Sequence, residues 1–314
     1  MQSLLSSFFH NPRRLDPDWL TRDLEGFENS GLSELKLKLA NTFSEHPEAS
    51  IIIPAFNEEA NIIRSLETLA NNKSRYSFEV IVINNNSSDR TEEVLKKLGV
   101  RYFNQPIQGC GAARQMGLEH ARGKYILLAD ADCLYPKKWV ESMITELRKP
   151  GTSVVYGRYS FLANKNSYPR WVLSFYELLR DVSMEMRHFK RPFLNSYGMT
   201  MAFYRDQALK EGFRVDSTRG EDGRMCFDLM KYGKVRRLRS YKAGVWTGTR
   251  TIAQEGSLVK VLFKRFLNYI SHIDEYFKPL PEHDTKSSVN HDDSVSASIR
   301  RVKEKTRISS SGKQ

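Results

Sequence analysis

From residue 49 onward, apolar residues follow two alternating rhythms. Residues 50–56, 78–83 and 124–129 are short, almost continuous apolar runs, the pattern of strands buried on both faces. Between them, residues 61–70, 88–98 and 109–121 repeat apolar or small side chains at spacings of three and four. Ile62, Ile63, Leu66 and Leu69 show that helical period most plainly. Ser88-Asp89 is an expected helix start, and Pro136 is expected in the first turn of a helix over 136–147. Residues 100–103 and 152–161 are further strand candidates. Strand and helix alternating in this way predict parallel β-α-β units and an α/β fold.

The flanks have a different character. Residues 30–43 carry Leu32, Leu35, Leu37 and Leu39 after Asn29-Ser30-Gly31, so a helix is expected within an N-terminal helical extension over 1–48. After residue 161 the chain grows aromatic. Trp171, Phe175, Leu178, Leu179, Val182 and Met186 recur at helical spacing over 168–188, and the stripe is expected to face the core. Residues 195–204 are a small-residue turn entering an apolar strand, and 206–211 a short helix. Gly220-Glu221-Asp222-Gly223 opens a helix through Met225, Leu229 and Met230, and 235–245 is extended and basic. An α/β domain is therefore expected over 49–250. A C-terminal amphipathic helix is expected over 251–279, with Val261, Leu262, Phe266, Leu267, Ile270, Ile273 and Phe277 on one side. Residues 280–314 have the composition of a disordered tail.

Composition narrows the classes. With 314 residues, 40% hydrophobic and 27% charged, the chain has ordinary globular proportions. No apolar run approaches the roughly 20 residues of a membrane span. The first ten residues lack the basic start and small-residue cleavage site of a signal peptide. Three dispersed cysteines make neither a disulfide framework nor a metal-ligand spacing, and a reducing cytosol is the simplest compartment. Cys133 is read as a small buried packing residue. The net charge is +12, from 49 Lys+Arg against 37 Asp+Glu, and it favours anionic partners. Much of the excess lies in residues 231–242, 260–265 and 300–307, for which a solvated surface is the alternative reading.

The candidate chemistry sits where strands end. The apolar run before Ala129 stops at Asp130-Ala131-Asp132. Two residues apart on an extended chain, both carboxylates leave the same face, which suits a hard dication such as Mn2+ or Mg2+. A solvated acidic turn is the alternative. Asn57 and Asn84 to Asn86 also fall at predicted strand ends, where α/β sheets bind ligands.

Four stretches stand in order: Ile51-Ile-Ile-Pro-Ala-Phe-Asn-Glu-Glu59, Val82-Ile-Asn-Asn-Asn-Ser-Ser-Asp-Arg-Thr91, Gly111-Ala-Ala-Arg-Gln-Met-Gly117 with Asp130-Ala-Asp132, and Gly220-Glu-Asp222. Together they resemble the family 2 glycosyltransferases. The resemblance implies a GT-A fold, Rossmann-like, with a mostly parallel central sheet flanked by helices. It implies inverting transfer of a sugar from a nucleoside-diphosphate sugar, expected to be a UDP-sugar, to an acceptor hydroxyl. By the family pattern Asp132 would be the direct metal ligand, and Asp130 would lie by the ribose or a metal-bound water. Pro54, Phe56, Asn57 and Glu58 would edge a uracil-type base pocket. Arg114 is a candidate for the base and diphosphate side, with a surface helix position as its alternative. Asp222 would be the general base, with Glu221 in support; a helix N-cap is the plain alternative for that pair. Residues 195–203, with Gly198 and the following Arg205, resemble an acceptor-side segment. Trp246 is a sugar platform or a buried core residue.

Two features depart from the family pattern. Asn84, Asn85 and Asn86 stand where two acids are common, so the second motif binds through uncharged amides. No Gln-x-x-Arg-Trp segment follows, which points to single-sugar addition rather than polymerisation. The resemblance implies a saccharide or lipid-linked acceptor, as in cell-envelope polysaccharide assembly, and no nucleic acid. A cytoplasmic protein is expected, and its basic helix at 258–277 either packs against the domain or touches the inner membrane face. A nucleotidyltransferase and a non-catalytic basic protein that binds nucleotides or membranes are the competing readings.

Overall fold

A computed structural model describes residue 11 and residues 24–163, 168–215 and 220–249. Strand β1 (Ala49–Ala55) shows why the opening pattern reads as it does. Ile51 and Ile53 enter one apolar layer and Ile52 the opposite one, and all three are fully buried. Successive strand side chains alternate in direction, so a strand covered on both faces must be apolar throughout. The first layer is covered by α2 (Leu32–Thr42), α3 (Asn61–Ala70), α4 (Thr91–Leu98) and α6 (Trp139–Leu147). The second is covered by α5 (Cys110–His120), α8 (Arg205–Glu211) and α9 (Glu221–Leu229). Helix α5 lies so close to β1 that a Cβ at Gly117 would strike the Ile52 side chain.

The remaining strands are β2 (Phe78–Asn84), β3 (Tyr102–Asn104), β4 (Tyr125–Leu128), β6 (Thr152–Tyr156), β8 (Met201–Tyr204) and β9 (Lys234–Arg237). With β1 they form a seven-stranded sheet in the order β3-β2-β1-β4-β8-β6-β9. Every neighbouring pair is parallel except those made by β8, which runs antiparallel to β4 and β6. A three-stranded sheet joins β5 (Cys133–Leu134), β10 (Val245–Thr247) and β7 (Tyr159–Phe161), in the order β5-β10-β7. This is the expected α/β class, a mostly parallel sheet between helical layers. Two helices, α1 (Leu24–Ser30) and α2, precede the sheet. The expected helix over 251–279 and tail over 280–314 lie outside the described residues.

Several local expectations are corrected. Asn29 and Ser30 end α1 instead of starting a helix, and Gly31, at φ 125°, breaks the chain between α1 and α2. Pro136 stands before α6, where its carbonyl accepts from Trp139 N at 2.9 Å. Helix α4 begins at Thr91, whose amide donates to the Asp89 carboxylate at 2.9 Å. Residues 152–161 split between the two sheets, as do 235–245, so neither is one strand. The largest correction concerns helix α7 (Arg170–Lys190). Its aromatic and Leu stripe is exposed, with Trp171 at 55% and Phe175 at 52%, while Leu173, Tyr176 and Met184 face inward.

Candidate active site

The chain leaves β1 towards β2 on one side and returns to β4 on the other, so the sheet order reverses between β1 and β4. A crevice beyond the carboxyl ends of strands at such a reversal is where open α/β sheets hold ligands. Ile52 O accepts from Ala129 N at 3.0 Å, so the residue two further on, Pro54, faces the same side, where β4 has already ended at Leu128. Proline is tolerated there because no ladder bond is needed from its nitrogen.

The two donor-side loops are laced together. Asn57 adopts a left-handed conformation, φ 54°, and its Oδ1 accepts from Ser88 N at 2.8 Å. Asn57 N donates to Ser87 Oγ at 3.1 Å, and Glu58 N to Thr91 Oγ1 at 2.9 Å. Glu58 is buried and accepts from Asn61 Nδ2 at 2.6 Å, whereas Phe56 is exposed. The three asparagines divide. Asn84 Nδ2 donates to Asn104 Oδ1 at 2.8 Å, and Asn85 Oδ1 accepts from Gly109 N at 3.0 Å, at the start of α5. Both are buried. Asn86, at φ 60°, is exposed and is the member of the trio that faces solvent.

The Asp130 turn is braced from within. Asp130 N donates to the Tyr135 hydroxyl at 2.8 Å, and Asp130 O accepts from Cys133 N at 3.3 Å. Cys133 is fully buried, as expected, and its thiol lies 3.6 Å from Asp132 Oδ1 as a weak donor. Burial pushes that thiol well above its usual range, with both aspartates adding to the rise, so it is a protonated thiol and not a thiolate. One oxygen each from Asp130 and Asp132 and the Cys133 sulfur lie within 4.8 Å of one another. Two carboxylates just beyond the end of a central strand fit a hard, oxygen-seeking dication; a buried neutral thiol fits the role of a donor to Asp132.

Arg114 ties this turn to the start of α9. It is 3% exposed, which excludes the surface position allowed by the sequence. Its Nη1 donates to Glu221 Oε1 at 2.6 Å and also to Asp222 Oδ1, and its Nη2 donates to Asp130 Oδ1 at 3.2 Å. Gly198 N donates to the other Asp222 oxygen at 2.7 Å. Burial works to raise the Glu221 carboxyl, but the charge and hydrogen bond of Arg114 more than offset it and hold it below the usual range. At Asp130 the balance goes the other way. Burial raises the carboxyl against the pull of Arg114, with Glu221 and Glu58 adding like-charge repulsion. The Cys110 thiol, beside this cluster, is pushed up to about 12 by burial.

Asp130, Glu221, Asp222 and Arg114 are thus brought together, with Gly198 among them and Asp132 two residues from Asp130. The tight approach at Gly198 is to the Arg114 guanidinium, which a Cβ would strike. Asn195 serves the framework, donating to Met184 O at 2.8 Å and to the Tyr156 hydroxyl at 3.1 Å. Arg205 is at the opposite end of the strands from Asp130: Tyr204 pairs with Tyr125, the first residue of β4, and Arg205 N donates to Lys124 O at 2.9 Å. It is therefore removed from the acceptor-side segment it follows. Trp246 is half-buried in β10 beneath Arg170, whose guanidinium carbon is 5.2 Å from the ring centroid. Tyr135, Cys110 and the pairing of Arg114 with the acids were not read from the sequence. A signal for Arg114 exists, because Gly111, Ala112, Ala113 and Gly117 make α5 a helix of close approach, in which an arginine must find buried acids.

The model of glycosyl transferase family 2 matches residues 50–213. Glycosyltransferase AglE of Haloferax volcanii is 33% identical over 124 residues, covering 37% of this chain and 40% of its own length. Dolichyl-phosphate beta-glucosyltransferase ALG5A of Trichomonas vaginalis is 38% identical over 96 residues, covering 26% of this chain and 30% of its own. The chain thus spans at most 40% of the length of these relatives. The structure of mannosyltransferase PcManGT from Pyrobaculum calidifontis, in complex with GDP-Man and Mn2+, superposes with a TM-score of 0.49 at 18% identity, over 72% of this chain and 66% of that one. The family match covers more than half of the 314 residues, and the chain belongs to glycosyltransferase family 2.

Proposed function

We propose that this protein transfers a single sugar, with inversion, from a nucleoside-diphosphate sugar to an acceptor hydroxyl, using a UDP-sugar donor and Asp222 as general base. The observation that carries the reading is the Arg114 cluster, in which an acid at a central strand end and two acids at a helix start share one buried guanidinium. The donor would lie across the ends of β1, β2 and β4. Phe56 and Asn86 offer exposed groups to the base, while Pro54, Asn57, Glu58, Asn84 and Asn85 hold the loops that shape its pocket. Asp132, supported by Asp130, would hold Mn2+ or Mg2+, which when bound neutralises charge on the diphosphate.

The chemistry of transfer falls to the helix-start acids. Arg114 and Gly198 N each occupy a different oxygen of Asp222 and fix its orientation. A carboxylate has about four lone-pair sites, so a face remains for an acceptor hydroxyl. As the acceptor oxygen bonds to the anomeric carbon, its proton passes to Asp222 and the bond to the diphosphate breaks on the opposite face. Glu221, buried and paired with Arg114, positions the guanidinium. Relatives named for a dolichyl-phosphate acceptor support a lipid-linked or saccharide acceptor, as does the cell-envelope role that the motifs imply. A cytoplasmic location at the membrane face follows from that acceptor; among the described residues no helix is long and apolar enough to cross a membrane.

The test is a donor-hydrolysis and transfer screen over nucleotide-sugars with Mn2+ or Mg2+, on wild type, Asp132→Ala and Asp222→Asn. A UDP-sugar should raise the melting temperature of wild type and be turned over. Asp132→Ala should lose the metal dependence, and Asp222→Asn should lose transfer while keeping donor binding. Wild-type turnover in both variants would refute the assignment.

A further inference from the structure

We propose that the outer face of α7 docks on an anionic lipid bilayer surface. Helix α7 has 21 residues, a length of about 30 Å. Its inner side is fixed to the molecule by Leu173, Tyr176 and Met184, and by an Arg170–Glu177 ion pair of 2.9 Å. Its outer side carries Trp171, Phe175, Leu178, Val182, Met186 and Phe189, each more than half exposed. Their spacing places them in one row along the helix. A monomeric soluble protein rarely leaves so continuous an apolar row in water.

Charge selects the occupant. The three acids of α7 are all matched by arginines. Glu177 pairs with Arg170; Asp181 with Arg158, Arg180 and Arg237; Glu185 with Arg237 and Arg239. Two of those arginines come from the basic run that follows Lys234, and with Arg187 and Lys190 at the helix end, α7 and its ion-pair partners hold seven cations against three acids; Arg239, paired with Glu185, and Lys190 are the exposed cations on the border of the row. A second copy of the chain carries the same +12 charge, and residues 250–314 hold more Lys and Arg than Asp and Glu. Neither complements the border. A layer of acidic headgroups does, and Trp and Phe in a row beside Lys and Arg are the side chains of an interfacial helix. Helix α7 leads through the 3-10 turn Pro192–Asn195 to Gly198, beside Asp222. Docking would therefore bring the acceptor side close to the lipid headgroups, a consequence that rests on the transferase reading, whereas the docking itself does not.

The full-length protein is sedimented with vesicles of phosphatidylcholine alone or mixed with phosphatidylglycerol, and compared with the triple variant Trp171→Ser, Leu178→Ser, Val182→Ser. All three positions are exposed, so the variant should keep the wild-type melting temperature and donor hydrolysis in lipid-free solution. Wild type should bind the phosphatidylglycerol vesicles in a salt-sensitive manner, and the triple variant should bind about tenfold more weakly or less. Brominated lipids should quench tryptophan emission in wild type more than in Trp171→Phe, which keeps an aromatic side chain at that position. Failure of wild type to bind, equal binding by the triple variant, or a dimer that the triple substitution dissociates without any vesicle binding would each overturn the proposal. Equal binding would move the contact to another part of the chain, and the dimer would make the row a protein interface.

Discussion

Gly198→Ala is the sharpest probe of the site. The added methyl would land inside the Arg114 guanidinium, with Nη2 and Cζ the nearest atoms. The φ of Gly198 is not positive, so the backbone tolerates alanine and the effect is purely steric. The guanidinium would have to retreat from Glu221, Asp222 and Asp130 together. Overpacking alone costs about 1–3 kcal/mol. Removing the partner of a buried carboxylate costs about 3–5 kcal/mol, and Glu221 is only 5% exposed. Partial relaxation brings the expected loss to about 3 kcal/mol, or a melting temperature lower by roughly 6–12 °C for a chain of this size. Transfer should fall further, by about a hundredfold, because Asp222 loses the guanidinium that fixes one of its two oxygens. The assay is a double-mutant cycle read by urea denaturation and by kcat/KM. In an Arg114→Ala background the three atoms nearest to the methyl are gone, and Gly198→Ala should cost about 1 kcal/mol or less. Equal costs in the two backgrounds would refute the steric account.

Three further outcomes follow from other parts of the molecule. Asn57→Ala should destabilise by about 2 kcal/mol through left-handed strain and the lost acceptor for Ser88 N, and Asn57→Gly by about half as much, because glycine keeps the conformation; equal thermal melts for the two would contradict this. Burial lowers the pKa of His188 from 6.5, with Arg239 and Arg237 adding to the effect against Glu185. The unfolded chain then takes up the proton first, so this contribution to stability is complete above 6.5 and is lost as pH falls through the lower folded value; His188→Gln should flatten that part of the Tm–pH curve. Native protein should resist iodoacetamide at mildly alkaline pH, since burial raises all three thiols, whereas protein unfolded in urea should label at all of them; rapid native labelling of Cys110 would show that the α5 start opens.

The parts of the fold that were legible share one property: their signal is local. Ile51 to Ile53 and Leu127 to Ala129 are apolar without interruption because both faces of the central strands are covered, and no other environment needs that pattern in so few residues. The ends of those runs fell at the right places for the same reason, and with them Asp130 and Asn57. Helix α7 shows the limit of periodicity. A period of 3.6 reports which residues share a side, not which side is inward. Here the inner side is built from Leu173, Tyr176 and Met184 together with arginine–carboxylate pairs, and the more apolar side is left outside. The sequence pattern was correct, and its orientation was decided by packing on β7, just before the helix, and by Arg237 of β9, 56 residues from its partner Asp181.

Arg114 marks the other limit. Its partners Glu221 and Asp222 are 107 and 108 residues away, so no window of the sequence contains the interaction. The physical necessity is nonetheless one-directional. A helix lined with Gly111, Ala112, Ala113 and Gly117 lies tight against its neighbours, and an arginine in that setting is stable only if carboxylates are brought to it. Those carboxylates come from the end of β4 and the start of α9, which only the fold brings together. One guanidinium therefore sets the geometry of both. A substitution on either side should be felt on the other, and this makes the cluster a single unit rather than two adjoining subsites.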